Sequence, residues 1–264
     1  MTLPRLVATD LDGTLLTPGG VVSPRTRRAL RLAREAGAEI VFVTARPPRG
    51  VREIAGQAGV SGTAICSNGA IVYDLAADEI IDRLTLAPES AAKVARALAD
   101  TLPGVSLAVE TGLAVLAEAG YTLRIEADLA NYRDVRSVFD AGEPIVKLLA
   151  QSAAHTADEM AAAVLAVLDG LAEVTHSGTP GLLEISAAGV TKAGALERLC
   201  RARGVAAAEV VAFGDMPNDL AVLAYAGAGY AMANAHESVL AAVGRHTLSN
   251  DEDGVAAVLE ELYG

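Results

Sequence analysis

The stretch LVATDLDGTLL, Leu6–Leu16, decides the fold. Leu6–Thr9 reads as a short buried β-strand, apolar and partly β-branched. The run stops at two aspartates one residue apart, Asp10 and Asp12, followed by Gly13 and Thr14. Neighbouring carboxylates repel each other. A buried strand that ends on such a pair requires a cation close by, a protonated aspartate, or a loop that turns both towards water.

Working outward, strand and helix alternate. Ser23-Pro24 has the pattern of an N-cap followed by proline at the first helical position, and the helix it opens runs to Gly37, a natural stop. Glu39–Thr44 is a second buried strand, and Pro47-Pro48 open a helix ending near Gly59. The runs TAICS and IVYD flank Asn68-Gly69, a hairpin signal. This alternation predicts a parallel sheet. From about Arg83 the texture changes. A helix (Glu89–Asp100) precedes strands VSLAVE and LAVLAE, a mixed stretch covers Tyr121–Asp140, and strand PIVKLLA follows. A helix (TADEMAAAVLAVLDG) and strands LAEVTHS and LLEIS complete the pattern of two strands after a helix, twice over, which suggests an antiparallel α+β module. Past Ser186 the alternation returns: Thr191 caps a helix reaching Arg203, EVVAF is a strand, NDLAVLAYAG a helix and GYAMA a strand. The expected fold is α/β, a doubly wound, Rossmann-like parallel-sheet core formed by residues 1–83 and 187–264, with an α+β module inserted at 84–186.

Composition narrows the function. Hydrophobic residues make up 52% of 264 and aromatics only 3%, without tryptophan, so the core is built from Ala, Val and Leu. Base-stacking readers of nucleic acid are richer in aromatics. The net charge of −12 argues against DNA, RNA or an anionic membrane as partner. It leaves room for a small anionic substrate, because a local metal or lysine overrides the global charge. Cys66 and Cys200 lack metal-ligand spacing and read as free buried thiols of a reducing cytosol. Neither a signal segment nor an apolar run of about 18 residues is apparent, so a cytoplasmic location is expected. Monomer and homodimer both stay open.

Sites in doubly wound sheets form at the carboxyl ends of the strands. Asp10 and Asp12 follow the first strand, Thr44 ends the second, Lys192 sits at the mouth of the helix after the insertion, and Asp215, Asn218 and Asp219 follow EVVAF. Three close aspartates (10, 12 and 215) need a cation, and an all-oxygen set suits Mg²⁺. One aspartate could then attack phosphorus, giving an aspartyl-phosphate. Lys192, Thr44 and Asn218 would stabilise the phosphoryl oxygens, and Asp12 could pass a proton to the leaving alcohol and later take one from water. A lysine in the first turn of a helix is disfavoured by the helix dipole, which makes an anion beside Lys192 the better explanation of its place.

The segments DLDGTLL, VTARPP, the Lys192 of GVTKAGAL and GDMPNDLAVL resemble the four motifs of the haloacid dehalogenase superfamily. The insertion is similar to the type IIB cap of its Cof-like sugar-phosphate phosphatases, and the resemblance spans nearly the whole chain. It implies Asp10 as nucleophile and Mg²⁺ ligand. Asp12 is implied as general acid/base, touching Mg²⁺ through its backbone carbonyl. It further implies Thr44 and Lys192 as phosphate binders, Asp215 as a direct Mg²⁺ ligand, Asp219 as the residue orienting Lys192 or a metal-bound water, and Asn218 as a phosphate contact. The dehalogenases of the superfamily lack the second aspartate, so Asp12 points to phosphoryl transfer. Ala45 stands where many relatives have glycine, and Tyr230 and Ala233 replace smaller residues.

The expected activity is Mg²⁺-dependent hydrolysis of phosphate monoesters of small metabolites, sugar phosphates first. A phosphomutase using the same intermediate, a non-hydrolytic phospho-acceptor module and a partner-binding relative without catalysis are the alternatives. Arg46 is a candidate substrate contact or a surface ion pair, and Ser67, Asn68 and Gly69 form either a plain hairpin turn or a turn facing the site. Tyr121, Arg124 and Arg133 read as a solvated face or a specificity surface. The four histidines read as structural, with His176 the one candidate for the site. An inserted module with two connections, near Asp82–Leu86 and Ile185–Gly189, could exclude water during transfer and admit it afterwards.

Overall fold

Leu6–Thr9 (β1) is buried along its whole length and lies inside a seven-stranded sheet. The computed structural model describes residues 3–123, 126–139 and 142–264. After β1 come α1 (Pro24–Glu35), β2 (Glu39–Val43), α2 (Arg52–Ala58), β3 (Thr63–Cys66), β4 (Ile71–Asp74) and β5 (Glu79–Arg83). The middle of the chain forms α3 (Pro88–Thr101), β6 (Ser106–Glu110), β7 (Val115–Ala117), β8 (Tyr132–Asp134), β9 (Lys147–Gln151), α4 (Ala157–Leu168), β10 (Ala172–Thr175) and β11 (Leu182–Ala187). The last part holds α5 (Lys192–Arg203), β12 (Val210–Gly214), α6 (Leu220–Tyr225), β13 (Ala228–Ala231), α7 (Glu237–Ala242) and α8 (Gly254–Tyr263).

The large sheet has the order β13-β12-β1-β2-β3-β4-β5. Its first five strands run parallel, β4 pairs antiparallel with β3, and β5 turns again to pair antiparallel with β4. The strand order reverses between β1 and β12, which sets a crevice at their carboxyl ends. The fold is α/β, as the sequence predicts. A second sheet, β10-β11-β9-β6-β7-β8, is antiparallel apart from the β7–β8 pair. Each sheet has its own apolar cluster: Leu6, Phe42, Ile65 and Phe213 belong to the first, Leu98, Leu148, Met160 and Ile185 to the second.

Local chemistry sets the boundaries. Ser23 accepts from Thr26 N–H and Pro24 opens α1, as its N-cap pattern requires. Thr156 and Glu159 form a reciprocal capping box at the start of α4. The strand expected to start at Leu113 starts instead at Val115. Thr111 Oγ1 accepts from the N–H groups of Leu113 and Ala114 and bends the chain, leaving Leu113 exposed. The helix expected from Pro47 is split into a 3₁₀ turn at Pro48–Gly50 and α2. Strands β5 and β8 and helices α7 and α8 add to the expected elements. Both cysteines are free and buried. No helix among the described residues is long and apolar enough to cross a membrane.

Candidate active site

β1 delivers Asp10 to the crevice. The chain then makes one wide turn, Leu11–Leu15, in which Asp12 is extended and Gly13 left-handed at φ 73°. Buried Leu11, Thr14 and Leu15 anchor that turn. Gly13 is required there, because a Cβ would lie 2.3 Å from Asp215 Oδ2. β12 delivers Asp215 from the other side of β1, and a 3₁₀ turn at Pro217–Asp219 brings back Asp219.

These residues meet. Lys192 Nζ lies 3.2 Å from Asp10 Oδ1 and donates to Asp219 Oδ1 at 2.8 Å. Asp219 Oδ2 accepts from the Asp215 and Met216 N–H groups, both at 3.1 Å. Thr14 Oγ1 donates to Asp215 Oδ1 at 2.6 Å. Asp10, Asp215, Asp219 and Lys192 are all buried. Burial pushes the Asp10 carboxyl well above the usual carboxylate range, and Lys192 pulls it back only in part. Burial, then the charge of Asp219, pushes Asp215 up to about 7. For Lys192, burial alone disfavours the ammonium, but Asp10 and Asp219 outweigh it and raise its pKa above the ordinary lysine value.

The donor set fits a divalent cation. One oxygen from each of Asp10, Asp215 and Asp219 lies within 4.8 Å of the others. With all three ionised, one ammonium leaves two negative charges without a counter-charge, which is why burial favours protons on Asp10 and Asp215 in the metal-free cluster, and all donors are hard oxygens of the kind Mg²⁺ takes. Asp219 thus bonds Lys192 through one oxygen and closes its own loop through the other.

Thr44 is fully buried, and its Oγ1 accepts from Arg46 N–H at 3.1 Å. Arg46 forms a two-pronged ion pair with Asp12: Nε to Oδ2 at 2.7 Å and an Nη to Oδ1 at 2.6 Å. The ion pair expected of Arg46 is therefore made with Asp12, itself a candidate site residue. Asn218 Nδ2 donates to Asn68 Oδ1 at 3.1 Å, while Asn218 Oδ1 is buried and has no hydrogen-bond partner. Ser67, Asn68 and Gly69 make the β3–β4 turn, and all three are buried. Their backbone also reaches the site loops. Ser67 N–H donates to Arg46 O and Asn68 N–H to Thr44 O, and a Cβ on Gly69 would fall 2.2 Å from Thr191 O.

A cavity of about 530 Å³ opens above this cluster between the two sheets, lined among others by Asp12, Arg46, Asp215 and Met216 and by Lys147 and Glu184 of the second sheet. The last two are absent from the sequence expectation. Their signal is a lone charge inside each apolar strand, Lys147 in PIVKLLA and Glu184 in LLEIS. They pair at 2.6 Å. Thr14 is likewise absent from the expected set, although it follows the aspartate pair directly. Of the expected specificity surface, Arg133 is exposed and paired with Glu143, and Arg124 lies outside the described residues. Neither Tyr121 nor Arg133 is among the cavity's described lining. His176 is buried against Asp158 at 3.1 Å, and Asp158 also lies 3.4 Å from His236 beyond the second sheet's unit.

Residues 7–259 match the haloacid dehalogenase-like hydrolase family. The chain is 30% identical to the 5-amino-6-(5-phospho-D-ribitylamino)uracil phosphatase YwtE of Bacillus subtilis, covering 98% of each protein. Its structure resembles that of SMU.1108c from Streptococcus mutans UA159, with a TM-score of 0.86 at 27% identity and 98% of each chain covered. At 22% identity it shares the fold of the subclass IIB sugar phosphatase BT4131, with a TM-score of 0.80 over 97% of this chain and 98% of the other. With the buried carboxylates and Lys192 placed as described, the chain belongs to the haloacid dehalogenase-like hydrolase family.

Proposed function

We propose that the protein is a phosphatase that hydrolyses phosphate monoesters of small metabolites through an aspartyl-phosphate on Asp10. The observation that carries this reading is the buried Asp10–Lys192–Asp219 chain beside Asp215, opening to a cavity whose rim holds Asp12. The similarity to YwtE, a 5-amino-6-(5-phospho-D-ribitylamino)uracil phosphatase, supports the substrate class.

Asp10 attacks phosphorus and the ester P–O bond breaks. Asp12 gives its proton to the departing alkoxide, then takes one from water as that water attacks the acyl-phosphate, and inorganic phosphate leaves with the Asp10 carboxylate restored. For this, the Arg46 fork on Asp12 opens when substrate enters. Lys192 holds Asp10 Oδ1 and carries positive charge towards the phosphoryl oxygens. Thr44 Oγ1 has its own hydrogen to donate. Asn218 Nδ2 has a second N–H beside the one given to Asn68. Mg²⁺ would be held by the Asp10 and Asp215 carboxylates and the Asp12 backbone carbonyl, and would supply positive charge that offsets the negative charge of nucleophile and phosphoryl group. Asp219 orients Lys192. Residues 84–186 act as a cap over the core of 1–83 and 187–264, hinged near Asp82–Leu86 and Ile185–Gly189.

Phosphate release from sugar phosphates, nucleotides and an aryl phosphate, with Mg²⁺, with EDTA and with Asp10→Asn, tests the reading. Release that needs Mg²⁺ and is lost in Asp10→Asn is expected. Release that persists in Asp10→Asn contradicts it, and phosphoryl return to a second position of the substrate identifies a mutase.

A further inference from the structure

The turn Ser67-Asn68-Gly69 is costly backbone: three successive residues have positive φ, at 51°, 56° and 96°, and only the last is glycine. Non-glycine residues in that region persist only where the surroundings over-determine them. The surroundings are unusual. Asn68 spends its whole amide on groups far away in the chain: Nδ2 donates to Glu184 Oε2 at 3.2 Å and to Thr175 Oγ1 at 3.1 Å, both on the second sheet, and Oδ1 accepts from Asn218. Glu184 in turn accepts from Lys147 Nζ through its other oxygen at 2.6 Å, and Lys147 donates to Ala45 O at 2.8 Å, next to Thr44.

Lys147 and Glu184 are buried to within 3% and 5% of full cover. A buried ion pair adds little net stability over an apolar pair of the same volume, because desolvation offsets the attraction. What this pair supplies is placement. Through it, strands β9, β10 and β11 hold two core loops at once, the Thr44 loop through Ala45 and the Asn218 loop through Asn68.

We infer that Asn68, Glu184 and Lys147 are positioning residues that couple the seating of the 84–186 unit on the core to the geometry of the phosphate-binding Thr44 and Asn218. The inference rests on the phosphatase reading and deepens it. None of the three side chains bonds to Asp10, Asp12 or Lys192; Lys147 and Glu184 face the cavity, and their bonds run to the loops that carry Thr44 and Asn218. With the unit seated, Asn218 is turned by Asn68 and the Thr44 loop is drawn up by Lys147. With it lifted, both loops lose a partner, so transfer waits for closure.

A double-mutant cycle between Glu184→Gln and Asn218→Ala tests this, with kcat and KM for p-nitrophenyl phosphate and glucose 6-phosphate and a thermal melt of each variant. Glu184 and Asn218 are not hydrogen-bonded to each other and meet only through Asn68, so independent roles would make their effects multiply. The relay predicts that each single variant lowers kcat by about tenfold with KM changed less than about threefold, and that the double variant falls by less than about threefold more. Multiplied effects, near a hundredfold by the same reckoning, overturn it. Should Glu184→Gln fail to melt cooperatively, Thr175→Val takes its place in the cycle, since it removes one Asn68 acceptor and leaves the buried charges paired. The same non-additivity is then required, and additive effects overturn the relay. Absence of phosphate release from the wild-type protein overturns the phosphatase reading and the relay with it, whereas wild-type release with additive effects overturns the relay alone.

Discussion

At the scale of single residues, Gly13 shows how tightly the site is drawn. Its φ of 73° and the 2.3 Å approach of Asp215 to a notional Cβ act together. Gly13→Ala pays about 1–2 kcal/mol for the left-handed backbone and pushes Asp215 off its place. A displacement of about 1 Å at a reacting centre costs on the order of a hundredfold in rate. The expected result is therefore a loss of that order in kcat/KM for phosphate release, with a melting temperature lowered by only a few degrees. An unchanged kcat/KM would separate Gly13 from the chemistry. The spacing of Asp10, Asp12, Thr44, Lys192, Asp215, Asn218 and Asp219 made these residues legible in the sequence, because each follows a buried strand or opens a helix. Lys147 and Glu184 were harder to read. Each is a single charge in an apolar strand, and only the antiparallel register of β9 with β11 brings Glu184 into the neighbourhood of Lys147. The Arg46–Asp12 fork was not legible for a similar reason, since a guanidinium's partner is chosen by side-chain direction rather than by position in the chain.

At the scale of elements, α5 carries the site lysine at its first residue, against the dipole of its own N-terminus. Thr191 is its N-cap, with Oγ1 accepting from Gly194 N–H at 3.0 Å. Thr191→Ala is expected to cost about 1 kcal/mol of stability, measured by urea unfolding. It should also lower kcat, because the first turn that fraying loosens is the turn holding Lys192. A drop in stability with kcat untouched would show that Asp10 and Asp219 hold the ammonium without help from the helix. Helices with both a cap and a stop, α1, α4 and α5, could be read closely from sequence. β5 was missed because all its side chains but the half-buried Ile80 are exposed, and Ile80 and Ile81 are adjacent, so no period of two marks it. β8 is three residues long and carries no apolar alternation. In α8 the buried Val255, Ala256, Val258 and Leu259 form a helical stripe whose partner, α1, begins at residue 24 of the same chain.

At the scale of the whole molecule, the buried negative charge sets how pH and metal act on stability. The Asp215 carboxyl stands at about 7 in the folded, metal-free chain, against about 3.9 in an unfolded one. Between those values the folded state binds more protons than the unfolded, so the contribution of this group is fully present below about pH 4 and is lost as pH rises through 7. On the proposed metal reading, a divalent cation would take the proton's place. Mg²⁺ at about a hundred times its dissociation constant is expected to raise the melting temperature by roughly 5–10 °C at pH 8 and by much less at pH 5. Equal shifts at both pH values would remove Asp215 from the metal site. The division into two sheets follows from sequence texture, whereas the way one sits on the other follows from side chains that no periodicity reveals. The pairing of β1 with β12 also has a consequence for synthesis. Thr14 and its acceptor Asp215 are 201 residues apart. At roughly 5–20 residues per second on the ribosome, the aspartates of the first strand wait about 10–40 s for the lysine and carboxylates that complete the site. Every strand of the second sheet, β6 to β11, is made within that interval, so a ribosome stalled before β12 carries all of that sheet and only part of the carboxylate cluster.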